Sequence, residues 1–124
     1  MQESLVSVNN GTNQLRLSGG LSEWLFSSKF WSNFNAQHGT MFDQFEEDEV
    51  NASTAKAIIE ALNKGVRSLE EQDKNNIEFV YRWTPDHKPL TTSIPKKLLL
   101  SELIAFREFL ADAVARDYDI TSFL

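Results

Sequence analysis

PKKLLLSELIAFREFLADAVARDY, residues 95–118, is the stretch around which the rest of the chain is read. Its apolar side chains fall at Leu99, Leu103, Phe106, Leu110 and Val114, steps of four and three that bring them onto one face of an α-helix. Pro95 suits a first helical turn, where its missing N–H costs nothing, and Lys96 and Lys97 stand outside the stripe. Leu98, Leu100, Ile104 and Phe109 widen the apolar arc beyond a coiled-coil seam, which predicts contact from more than one side. Such a stripe is core and names no chemistry.

A chain of 124 residues has the size of one domain, residues 1–124, with a core of its own. Nine Phe and three Trp supply the bulk for that core. The absence of cysteine excludes disulfides, a thiol nucleophile and thiolate-bound zinc, and fits a reducing compartment. The opening MQESLVSVNN lacks the basic and apolar runs of a secretory signal, and no stretch reaches membrane-spanning length, so an untargeted cytoplasmic protein is expected. Twelve basic against 18 acidic residues, net −6, disfavour nucleic acid and other anionic partners. Asp43, Glu46, Glu47, Asp48 and Glu49 carry five acids with no base among them, leaving the rest of the chain nearly neutral.

Around the central helix the pattern predicts further elements. Leu5, Val6 and Val8 suit a short strand or ordered arm before a turn at Asn9-Asn10-Gly11, and Gln14–Ser18 alternates as a short extended segment stopped by Gly19-Gly20. No phosphate-loop lysine follows those glycines, which read as a plain turn. Ser22 to Gln37 reads as an aromatic helix, Ser22 its cap and Gly39 its stop, with Ser27-Ser28 a place to split. Asn51 or Ser53 caps a second striped helix running Ala55, Ile58, Ile59, Leu62, Val66 and Leu69 through Gly65. Ile77, Phe79, Tyr81 and Trp83 alternate as a strand that Pro85–Pro89 turns back toward Leu90–Ile94, although Ile77, Val80 and Tyr81 also fit a helical face. The apolar close, Ile120, Phe123 and Leu124, suggests a tail that docks. Taken together these readings predict a mainly α single domain of three to four helices, with a short β-hairpin near residues 77–94 as the optional addition.

The acidic segment is the one candidate site. Met41, Phe42, Phe45 and Val50 interleave with the five acids; a purely solvating loop needs no phenylalanine, so the apolar side chains are expected to tether the segment and fix the carboxylates as an outward patch. Phe42, Asp43, Phe45, Glu46, Glu47, Asp48 and Glu49 are therefore the candidate partner-binding residues, against the plainer reading of a solvated loop. Counted from Asp43 as a calcium loop, the segment meets Phe45 at the third position and Asp48 at the sixth, where an oxygen ligand and a glycine belong, so no metal site is expected. His38 and His87 lack partners at ligand spacing, and no Gly-x-Ser-x-Gly, His-Glu-x-x-His or phosphate-loop motif is present. A run of five carboxylates beside a turn should stay ionised, so neither catalysis nor a cofactor is expected. The alternative is a small enzyme or a metal-binding or regulatory domain that uses the carboxylate cluster.

On Leu15-Arg16-Leu17-Ser18-Gly19-Gly20, on Phe30 and Trp31, on the run from Gly39 through Met41-Phe42-Asp43 to Glu49, and on Leu103-Ile104-Ala105-Phe106, the chain resembles small acidic immunity proteins encoded beside bacterial polymorphic or contact-dependent toxins. The resemblance implies a non-enzymatic cytoplasmic inhibitor that binds a cognate basic toxin domain by charge complementarity, without nucleic acid or membrane.

Overall fold

A computed structural model describes residues 2–9 and 13–124. In chain order its elements are β1 (Ser4–Val8), β2 (Gln14–Leu17), α1 (Gly19–Ser27), α2 (Phe30–His38), β3 (Glu47–Val50), α3 (Ala52–Glu70), β4 (Asn76–Trp83), β5 (Pro89–Pro95), α4 (Lys96–Ala115) and β6 (Ile120–Phe123). Helices take 48% of the described residues and strands 27%, in two antiparallel sheets, which overturns the expectation of a mainly α domain with one short hairpin. The hairpin expected at residues 77–94 is there as β4–β5, but it stands beside a four-stranded sheet ordered β2-β1-β6-β3.

The two long helices follow their stripes. On α4, Leu99, Leu103, Phe106, Leu110 and Ala113 are buried, and on α3 Ala55, Ile58, Leu62, Val66 and Leu69, so the two helices pack stripe to stripe. Asn51 caps α3 by accepting from the Thr54 N–H at 2.8 Å, and Gly65 stays interior. The aromatic helix is two helices, broken where Lys29 takes a left-handed φ of 65° after Ser28. Its cap is Ser18 rather than Ser22: the Ser18 hydroxyl accepts from the Leu21 N–H at 3.1 Å and donates to Glu102 on α4 at 2.9 Å. Gly19 and Gly20 thus open α1 instead of forming a plain turn. At Gly20 a Cβ would meet the Ile94 side chain at 3.2 Å, so glycine lets α1 lie close on β5.

The four-stranded sheet joins segments far apart in sequence. β6 pairs with β1 (Leu5 opposite Phe123, Val8 opposite Ile120) and with β3 (Glu47 opposite Phe123, Val50 opposite Ile120), so the apolar tail docks as a central strand. Val6, Val8, Leu17, Val50, Ile120 and Leu124 of the inner face join the helix stripes in one core cluster. Leu5, Arg16, Phe123 and Glu47 align in one row on the opposite face, and Ser7, Gln14, Thr121 and Glu49 in the next. The turn expected at Asn9-Asn10-Gly11 falls between β1 and β2; Asn10 and Gly11 lie outside the described residues.

In the hairpin, the register shifts between Val80 and Arg82. The extra residue puts Arg82 on the side of α1, where it meets Glu23, and leaves Trp83 exposed.

Candidate functional site

The acidic segment begins where α2 stops at Gly39, whose φ of 68° is the left-handed conformation that glycine adopts without strain. One side chain then organises the turn. Asn35 of α2 donates from Nδ2 to the Phe42 carbonyl at 2.8 Å, while its Oδ1 accepts from the Phe42 N–H at 3.0 Å and the Thr40 hydroxyl at 2.7 Å. Both main-chain groups of Phe42 are thereby satisfied by a single amide, much as a neighbouring strand would satisfy them. The Phe42 ring enters an aromatic cluster, 5.0 Å from Trp31 and 5.9 Å from Phe34 between centroids. Among the described residues, the buried Trp31 indole N–H has no hydrogen-bond partner.

The segment is also held from behind by charge. Gln44 donates to Oε2 of Glu23 at 3.1 Å, and Arg82 of β4 reaches the same oxygen at 2.8 Å. The Glu23 side chain is only 4% exposed while Arg82 is 42% exposed, so a buried carboxylate on α1 ties the acidic segment to the hairpin. Neither Glu23 nor Asn35 stood out in the sequence. Glu23 was legible only as an acid inside the apolar run Leu21–Phe26, and Asn35 as one more polar residue of a helix.

Beyond Gln44 the chain turns outward. Phe45 sits at a left-handed φ of 64°, a conformation that costs a bulky side chain on the order of 1 kcal/mol. Phe45 is 49% exposed and Met41 is 83% exposed. Asp43, whose Oδ1 accepts the Gln44 N–H at 2.8 Å, and Glu46 and Glu47 are exposed around them. Glu47 to Val50 then form β3, the outermost strand of the sheet, rather than a loop. Acids on an edge strand discourage pairing with a second strand of like charge.

The seven candidate residues are therefore dealt into different positions. Phe42 is buried and serves as the tether. Asp48 points to the inner face opposite Ser122, with Oδ2 buried and unpartnered among the described residues, and burial pushes its carboxyl pKa up. It does not belong to the outward set. Glu49 lies on the outer face, where the Asn9 amide donates to it at 2.8 Å and the Thr121 hydroxyl at 3.1 Å. Asp43, Phe45, Glu46 and Glu47 remain presented to solvent together with Met41, so Met41 and Phe45 are not the buried tethers they were expected to be.

No family model, no curated protein and no solved structure matches this chain. What it does must be argued from its own residues. Among the described residues, no three histidine or acidic side chains gather as a metal-ion set. His38 stacks on Phe34 at 4.5 Å at the end of α2, and His87 occupies the hairpin turn at a φ of 63°. Among the described residues no helix is long and apolar enough to cross a membrane.

Proposed function

We propose that this chain is a non-enzymatic binding protein of the cytoplasm that neutralises a basic protein partner, as an immunity protein neutralises a bacterial toxin domain. The observation that carries the reading is the pairing of exposed Phe45 and Met41 with Asp43, Glu46 and Glu47 on a segment fixed from behind. An exposed aromatic held in a strained backbone beside charges has the make-up of a binding anchor, in which the apolar group sets the lifetime of a complex and the carboxylates set its rate and choice of partner. The fixation matters because a preorganised surface loses little entropy on docking.

The experiment is a capture of partners from the native host by the wild-type chain and by a variant carrying Asp43→Asn, Glu46→Gln and Glu47→Gln. A control variant carries Glu60→Gln, Glu70→Gln and Glu71→Gln, exposed acids of α3 and its end. The proposal expects a basic protein that the wild type and the control retain and the first variant loses. Equal retention by all three overturns it.

A further inference from the structure

β3 is an edge, and its hydrogen-bond register says which of its main-chain groups are open. The Leu124 N–H donates to the Glu46 carbonyl at 3.2 Å, which makes 46 and 124 a bonded pair of the antiparallel ladder. Bonded and non-bonded pairs alternate along such a ladder, so Asp48 with Ser122 and Val50 with Ile120 are bonded, whereas Glu47 with Phe123 and Glu49 with Thr121 are not. The N–H and C=O groups of Glu47 and Glu49 therefore point away from β6, toward the open side. Among the described residues no other main-chain group bonds to them.

We infer that this open edge is a docking strand, to which an extended lysine- or arginine-bearing segment of the partner adds as a fifth strand beside Glu47 and Glu49. The inference rests on the proposed function and names its mode of recognition. Strand addition takes affinity from main-chain hydrogen bonds and specificity from the side chains at alternate positions. Here those side chains are carboxylates: Glu47 and Glu49 share the outer face, with Asp43 and Glu46 just upstream. Cations on every second residue of an added strand would lie beside them, an opposite-charge neighbour relation that stabilises a sheet. A second copy of this chain pairing antiparallel through the same edge would set acid against acid, which the same relation disfavours. The edge thus excludes itself and admits a basic strand. β2, the other edge of this sheet, presents Arg16 and has no such run of acids.

The test titrates the full chain at low salt with a short peptide alternating lysine and threonine, and with the same peptide N-methylated throughout, which keeps the charges and removes the donors. Strand addition predicts that N-methylation weakens binding at least about tenfold. Equal binding of the two peptides overturns the inference and leaves the acidic surface standing; binding of neither overturns both. On the protein side, Glu47→Gln removes a charge, whereas Glu47→Pro removes the same charge and also an edge N–H that β6 does not use. The proline variant is expected to lose at least about tenfold more affinity for the unmethylated peptide than the amide variant. Equal loss overturns the inference. Should Glu47→Pro fail to fold, amide exchange at Glu47 and Glu49 of the wild type decides: slowing on peptide binding supports strand addition, and unchanged exchange overturns it. Sedimentation of the chain alone supplies the last outcome, since a dimer that Glu47→Pro dissolves would make the occupant a second copy.

Discussion

Two halves of one segment, residues 39–44 and 45–50, each carry one phenylalanine, and the two rings have opposite roles. The first half is held: its phenylalanine is buried against Trp31, its main chain is satisfied by Asn35, and Gln44 is tied to Glu23. The second half is presented, with its phenylalanine half-exposed in a strained conformation and with Glu47 and Glu49 along an open sheet edge. The contrast teaches that aromatic residues among acids are not one kind of residue. Phe42 spends its surface on the fold and Phe45 keeps its surface for another molecule.

The sharpest way to break this contrast is to truncate both rings. Phe42→Ala is expected to destabilise the chain by about 3–5 kcal/mol, as loss of a buried aromatic ring does. Phe45→Ala is expected to cost about 1 kcal/mol, well under Phe42→Ala because about half of Phe45 is already exposed, while lowering partner affinity. Urea denaturation of the two variants checks the first expectation, and similar losses in both would erase the distinction. Next in size is Asn35→Ala, which strips two main-chain groups of Phe42 of their partner and should cost about 1–3 kcal/mol by the same measurement. Arg82→Gln leaves Glu23 buried with Gln44 as its remaining partner. Since Arg82 is itself 42% exposed, a loss of about 1 kcal/mol is expected, well under that of a fully buried pair.

The smallest effect has a definite sign. Burial raises the Asp48 pKa above its ordinary 3.8, so the folded state holds this proton more tightly than the unfolded one. Its contribution is most favourable below 3.8 and declines as pH rises through the higher folded value. Asp48→Asn should therefore raise the melting temperature at neutral pH and leave it nearly unchanged at the acid end. A variant that melts lower at neutral pH than the wild type would contradict the placement of Asp48 on the inner face.

The long-period features of the fold were legible. The stripes at Leu99–Leu110 and Ala55–Leu69 repeat often enough for helical spacing to stand out, and Pro85–Pro89 marked a turn between two β-prone runs. The four-stranded sheet was not legible as a sheet, although β1 and β2 were recognisable as short extended pieces and the tail as one that docks. Four- and five-residue strands carry too few repeats, and their partners lie at opposite ends of the chain, as with Leu5 and Phe123. β3 was hidden for a further reason: Glu47, Asp48 and Glu49 have poor strand propensity, and their strand is set by pairing with β6 and by Val50 in the core. For the site, composition located the segment but could not separate Phe42 from Phe45. That separation depends on Asn35, seven residues upstream of Phe42.

The central claim, that the presented half steers a basic partner, is tested most directly by stopped-flow association with the captured partner across a range of salt. Wild type is compared with the variant carrying Glu46→Gln, Glu47→Gln and Glu49→Gln, the exposed acids of that half. Exposed charges that steer an encounter act over about 8–10 Å at physiological ionic strength, so their removal slows association and flattens its dependence on salt. The account predicts both changes, with the native fold retained by circular dichroism. An unchanged rate and an unchanged salt slope would contradict it and leave the acids as guards of a sheet edge.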